Sequence, residues 1–260
     1  MAVFHGTVYA ESILSNVDLH VLLPLPEERE YRPAPGQRYP VLYLLHGAYS
    51  GGTDWLYRTR IACYAQAHSI AVVLASAGNS FYLDQPQGPA YERFFARELP
   101  NLAESIFPLS DRREDRYIAG LSMGGYGALR LALLHPERYT AAAALSGAFD
   151  LPQDHALLAP QHAAGQAVFA PLTQCGADQW DLAVLARRAQ ASGAALPRLM
   201  LSCGTEDFTL EMNRAQRTRL EALGIPVAYE EHPGAHDWDY WDTHIQRVLD
   251  WFHIQPAASA

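Results

Sequence analysis

Cysteine is scarce in this 260-residue chain: Cys63, Cys175 and Cys203 are three in number, an odd count, and lie far apart. That excludes a disulfide framework and the paired spacing of a zinc site, and leaves buried or incidental thiols in a reducing compartment. Basic residues are outnumbered, 19 against 28 acidic, for a formal net charge of −9, and no Lys/Arg cluster of the kind that neutralises phosphates occurs. Nucleic acid is excluded as a partner on that ground, and an acidic surface repels anionic headgroups, so no membrane role is expected. Long apolar runs are missing too, since no stretch approaches the roughly 18 residues of a membrane span. The N-terminal MAVFHGTVYAES also lacks the basic and apolar regions of a secretory signal. A cytoplasmic protein is expected, and no internal repeat is visible.

What is present is apolar residue in quantity, 49% of the chain, with only 18% charged. That suffices for a sizeable core in a single α/β domain spanning 1–260. Residues 3–9 and 17–23 alternate apolar with polar and predict an antiparallel entry to a sheet. Residues 24–40 read as a Pro-rich surface loop, and 41–45 (VLYLL) as a strand buried on both faces. The pattern continues with a helix at 54–67, a strand at 70–75, a helix at 91–107, a strand at 117–119 and a helix ending at His135. A strand at 141–146 follows, then strands at 199–202 and 227–230 around a helix at 210–223, and a closing helix at 238–252. This alternation predicts a mostly parallel sheet covered on both faces. Prolines and glycines interrupt 147–193 apart from a helical 180–190, so that region is expected to lie outside the sheet as a cap-like insertion. The Ala-rich 256–260 reads as a flexible tail.

The chain centres on RYIAGLSMGGYGALR, residues 116–130, where an apolar strand runs through Gly120-Leu121-Ser122-Met123-Gly124 into a helix. G-x-S-x-G occurs by chance in about one chain in ten of this length, so the setting matters more than the motif. Strand, sharp turn and helix are what a nucleophile elbow needs: the serine hydroxyl stands above the sheet edge beside the unpaired N–H groups of a helix start.

An activated serine needs a base within hydrogen-bond reach and an acid to orient the base, and in this type of sheet they follow as Ser, Asp or Glu, then His. The strand 199–202 ends in Gly204-Thr205-Glu206-Asp207, and the strand 227–230 leads into His232-Pro233-Gly234-Ala235-His236. Asp207 and His236 therefore fall on the same sheet edge as Ser122. Glu206 competes as the acid. His232 competes as the base, although its alternating position reads as part of the strand. A metal held by His232 and His236 lacks a third ligand at matching spacing. For the oxyanion, the Met123 amide follows the nucleophile, and Ala48, after His46-Gly47 at the end of the 41–45 strand, is the second candidate, unless His46-Gly47 is a plain strand-ending turn.

The segments LLHGAYSGG, FYLDQPQG, ARELP, AGLSMGGYGALRLAL, SCGTEDF and HPGAHDWDYW together resemble the esterase D group of α/β-hydrolases. That group holds the S-formylglutathione hydrolases, feruloyl and acetyl xylan esterases and related mycolyltransferases, and the likeness is greatest to the bacterial tributyrin-esterase branch. The resemblance implies an α/β-hydrolase fold, Ser122 as nucleophile, Asp207 as acid, His236 as base, and Met123 and Ala48 as the oxyanion amides. It implies a serine carboxylesterase for short-chain acyl esters that needs no metal or cofactor, with a small-molecule ester as partner and homo-oligomers common in the family. Thioester hydrolysis and acyl transfer are the enzymatic alternatives, and a binding module with silent chemistry is the third. Tyr49, Trp55, Phe81, Tyr82, Phe149, Phe169 and Trp238 are available as pocket walls, and each also fits a core position.

Overall fold

The apolar runs form strands: β1 (Ala2–Ala10), β2 (Ser15–Leu23), β3 (Val41–Leu45), β4 (Ala71–Ala75), β5 (Arg116–Leu121), β6 (Ala141–Leu145), β7 (Arg198–Gly204) and β8 (Val227–His232). The computed structural model describes residues 1–25, 36–85, 88–149, 163–174 and 176–254. Cys175, the 256–260 tail and most of the 24–40 loop lie outside the described residues. Among those described, the strands form one sheet in the order β1-β2-β4-β3-β5-β6-β7-β8. β2 runs antiparallel to both neighbours, and β3 to β8 are parallel. Their C-terminal ends therefore share one edge, the edge at which open α/β sheets carry their sites.

Helices cover both faces because the central strands are buried on both. Val41, Tyr43 and Leu45 face the layer of α4 (Leu99–Ile106), α5 (Met123–Leu134), α8 (Leu182–Ala191) and α9 (Leu210–Glu221). Leu42 and Leu44, at the alternate positions, face α2 (Ile61–Ala67) and α10 (Trp238–Phe252). Period-two alternation thus divides one strand between two cores.

Two expected helices are broken. The 54–67 helix divides into α1 (Asp54–Arg58) and α2 at Thr59, which is extended at φ −137° and ψ 171°. The 91–107 helix runs as α3 (Tyr91–Arg93), a π turn at Phe94–Glu98, and α4. Pro100, which has no N–H and whose ring crowds the carbonyl four residues back, sits just after that widened turn.

The expected cap divides as well. α6 (Ala163–Gln174) contributes Val168 to the rim of the site described below. α7 (Ala177–Trp180) and α8 instead complete the helical layer: Tyr126 donates its hydroxyl proton to the Trp180 carbonyl at 2.8 Å, and Arg130 Nε donates to the Gln179 carbonyl at 2.7 Å. Asp181 caps α8 by accepting from the Ala183 and Val184 amides and ties it to α9 through Arg219. The crossover from β6 to β7 needs a helix on the sheet, and α8 supplies it. Residues 150–162 lie outside the described set.

Candidate active site

Ser122 joins β5 to α5 with φ 52° and ψ −118°, a conformation that costs a non-glycine residue of order 1–3 kcal/mol. The surroundings hold it there. Its N–H donates to the Leu145 carbonyl at 2.9 Å, and its own carbonyl accepts from the Tyr126 and Ala148 amides at 3.1 Å each. The turn is possible because Gly124 has no side chain, since a Cβ there would stand 2.5 Å from the Leu45 carbonyl oxygen and 2.6 Å from that of His46. α5 therefore begins directly against the end of β3.

His236, in the loop before α10, places Nε2 3.0 Å from Ser122 Oγ and Nδ1 2.9 and 3.0 Å from the two Asp207 carboxylate oxygens. A carboxylate only accepts, so Nδ1 carries the proton and Nε2 is left to accept from the serine hydroxyl. The Asp207 side chain is 0% exposed. Burial pushes its pKa up, but hydrogen bonds and charge from His236, with bonds from the Thr209 amide and Ser146, outweigh that and hold it below its ordinary value. The Thr209 amide and hydroxyl each donate to Oδ1 at 2.8 Å.

The two competitors have other partners. Glu206 is exposed and accepts from the Gly234 amide at 2.5 Å, which holds the histidine loop against the acid loop. Two backbone bonds add to that brace, Thr205 N–H to the His232 carbonyl at 2.8 Å and Glu206 N–H to the Gly234 carbonyl at 3.0 Å. His232 ends β8, bonds Glu230 at 3.1 Å and stacks on His244 at 4.6 Å. Among the described residues no group of three His, Cys, Asp or Glu side chains is arranged to hold a metal ion.

Met123 is the first residue of α5, so its N–H has no acceptor within the helix. Among the described residues neither it nor the Ala48 amide donates to a protein acceptor. Ala48 follows β3 and borders, with Ser122 and His236, a cavity of ≈ 410 Å³. A cavity of ≈ 450 Å³ at the opposite edge, where β7 and β8 begin, contains no serine, cysteine or histidine.

A hydroxyl, an imidazole and a buried carboxylate in this order form the arrangement that activates a serine toward a carbonyl carbon. The family model described as putative esterase matches residues 12–252. The chain belongs to this esterase family. It is 32% identical over 260 residues to an acetyl esterase of Caldicellulosiruptor saccharolyticus, with 96% of this chain and 98% of that protein covered. Among solved structures it resembles FphF, a fluorophosphonate-binding serine hydrolase of Staphylococcus aureus, at TM-score 0.85 and 28% identity, covering 96% of this chain and 98% of that one. The S-formylglutathione hydrolase FrmB of the same organism is similar at TM-score 0.82 and 28% identity, again covering 96% and 98%. The fold is that of the α/β-hydrolases, and the protein is a serine carboxylesterase.

Of the aromatic residues expected to wall the esterase's cavity, Tyr49 and Trp238 do so. Trp55, Phe81, Tyr82 and Phe149 are buried in the core instead. Trp55 lies on α1 and the other three in loops after strands, and each turns inward because burying a ring of this size favours the interior. Trp55 donates its indole N–H to the Leu45 carbonyl at 3.0 Å, and Tyr82 its hydroxyl to the His46 carbonyl at 2.9 Å, so both brace the site from behind. Phe169 lies in α6, with its side chain outside the described residues. The cavity's other walls went unread in the sequence. Trp241 stands edge-on to the His236 ring at 5.0 Å, and Phe208 lies 4.5 Å from it. Trp241 is three residues beyond Trp238, a spacing that puts both on one helix face and could have revealed it. Ser50, Asp54 and Arg58 form a polar wall, and Asp54 and Arg58 stand one helical turn apart on α1.

Proposed function

We propose that the esterase hydrolyses short-chain acyl esters through an acyl-enzyme on Ser122, with His236 as general base and acid, Asp207 as its orienting carboxylate, and Ala48 and Met123 as the oxyanion donors. The observation that carries this reading is the unbroken chain from Asp207 through His236 to Ser122 Oγ, with contacts of 2.9 to 3.0 Å, at the floor of the cavity. Ser122 attacks the carbonyl carbon as its proton passes to His236 Nε2, and the tetrahedral oxyanion accepts from the two free amides. The imidazolium, stabilised by Asp207, returns the proton to the leaving alkoxide. Water then repeats the cycle on the acyl-serine: His236 takes its proton, hydroxide adds, and Ser122 leaves with the proton restored.

Short acyl groups are favoured by the size of the cavity, where Val168 and Phe208 narrow the apolar side, and by the likeness to an acetyl esterase. Acetyl esters and tributyrin are the substrates we assign. A thioester is the second reading, favoured by the likeness to an S-formylglutathione hydrolase. We read the chain as one catalytic domain with α6 at the rim, working in the cytoplasm, where an exposed thiol such as Cys63 stays reduced. Homo-oligomers, common among esterases of the resembled group, complete the proposal.

Fluorophosphonate labelling with peptide mapping tests the mechanism: label on Ser122 that is lost in Ser122→Ala and His236→Ala supports it, and unlabelled folded protein overturns it. Turnover of p-nitrophenyl acetate, butyrate and octanoate beside S-formylglutathione tests the substrate class. Equal rates on acetate and octanoate would refute the short-chain assignment.

A further inference from the structure

His46 is fully buried at the end of β3, and the reaction above uses neither of its ring nitrogens. Nε2 lies 2.7 Å from the Ala77 amide and accepts from it, so the ring proton resides on Nδ1. Nδ1 lies 2.7 Å from the Gly47 carbonyl oxygen and donates to it. Burial pushes the imidazole pKa down, against smaller upward pulls from the Gly47 carbonyl and Asp54, and this favours the neutral ring that can donate and accept at once.

The peptide joining Gly47 to Ala48 is trans, so its C=O and N–H point in opposite directions. Holding the carbonyl toward the imidazole turns the Ala48 N–H away from it. Gly47 itself packs against the elbow, where a Cβ on it would lie 3.3 Å from Ser122 Cβ. The segment beyond β4 completes the clamp: Tyr82 bonds the His46 carbonyl, Asn79 Oδ1 accepts from the Tyr49 amide at 2.9 Å, and Ser76 Oγ from the Gly52 amide at 3.0 Å.

We propose that His46 is a positioning residue for the oxyanion hole, its Nδ1–H holding the Gly47 carbonyl so that the Ala48 N–H faces the reacting carbonyl above Ser122. The proposal rests on the reading of Ala48 as an oxyanion donor. It makes the two ring nitrogens unequal, since Nδ1 sets the direction of the amide while Nε2 anchors the ring to the segment after β4.

Two substitutions separate those parts. An asparagine amide nitrogen can take the place of Nδ1 and donate to Gly47, whereas a glutamine oxygen can take the place of Nε2 and accept from Ala77. His46→Gln is expected to lower kcat on p-nitrophenyl acetate by about 10²-fold, the usual cost of one oxyanion donor, with KM little changed. The affinity for a boronic acid that forms a tetrahedral adduct on Ser122 should fall in parallel. His46→Asn should keep kcat within about tenfold of the parent, because the donor that aims the amide is retained. Equal losses in the two variants, with Ser122→Ala inert, would overturn this proposal alone. Full activity in Ser122→Ala would overturn the function reading and this proposal with it. A measurement on the unaltered protein stands apart from any folding defect: ¹⁵N-labelled histidine spectra at neutral pH should show His46 as the Nδ1–H tautomer, and an Nε2–H tautomer would refute the assignment.

Discussion

Trp241 donates its indole N–H to the Ser146 hydroxyl at 3.1 Å, and the Ser146 side chain is among the groups that hold the Asp207 carboxyl below its ordinary pKa. A wall of the cavity is thereby linked to the carboxylate that accepts from His236. Ser146 follows β6 at φ 51°, a second serine with positive φ beside Ser122 on the same sheet edge, held by its N–H donating to the Ser202 carbonyl at 2.8 Å.

Removing the link should cost both stability and rate. Ser146→Ala leaves the buried Trp241 N–H without its acceptor, and a loss of about 1–3 kcal/mol is expected in urea unfolding. Its kcat/KM should also fall, because Asp207 loses one of the groups that favour its ionised form. Trp241→Phe removes donor and need together, leaves the Ser146 side chain acting on Asp207, and should lose less rate than Ser146→Ala.

Stability should fall in acid, with Glu92 as a traceable contributor. Burial raises its pKa, but His135 and the Arg130 guanidinium, 2.7 Å away, pull it from 4.5 to about 2. A carboxyl whose folded pKa is depressed adds stability that is fully present above its unfolded value and is lost as pH falls through the folded one. Glu92→Gln should therefore be less stable than the parent at pH 7, with a gap that narrows between about pH 4.5 and 2. Urea midpoints across that range check it, and a gap independent of pH would contradict it.

Gly124→Ala should damage the elbow itself. The new methyl meets two backbone carbonyl oxygens, which cannot move without shifting β3 and the Ala48 loop. A loss of about 1–3 kcal/mol with slower fluorophosphonate labelling is expected. Gly6→Ala on β1, where a Cβ meets nothing within 4 Å, is the control and should change stability by less than about 0.5 kcal/mol.

Phe208 is 49% exposed and borders the cavity beside His236. Phe208→Ala should leave melting nearly unchanged and raise kcat/KM on p-nitrophenyl octanoate relative to acetate, because it widens the apolar side. An unchanged ratio would show that Phe208 does not limit acyl length.

Much of this molecule is legible in one dimension because local pattern carries it. The five-residue run 41–45 carries the signature of a strand buried on both faces, and Gly120-Leu121-Ser122-Met123-Gly124 between an apolar strand and a small-residue helix predicts the sharp turn that forms. Asp207 and His236 follow from the position of each after a parallel strand, since all such strands end on one edge, and the structure brings both within hydrogen-bond distance of the next member of the chain. The walls of the cavity are not legible in that way. Phe81 and Phe208 both stand in loops after strands, yet Phe81 is fully buried and Phe208 half-exposed. Which way a loop aromatic turns depends on what packs beneath the loop, and that is decided by helices distant in sequence. The same holds for α7 and α8, in the stretch expected as a cap, where α7 is held against α5 by Tyr126 and Arg130, and for the Trp241–Ser146 bond, which joins residues 95 positions apart. Sequence alone therefore determined the strands, the strand–turn–helix around Ser122 and the placing of Ser122, Asp207 and His236 after parallel strands, which depend on residues near one another along the chain. Only tertiary structure decided the cavity walls, the brace behind the Ala48 loop and the support of Asp207, because these depend on contacts that exist once distant segments have packed.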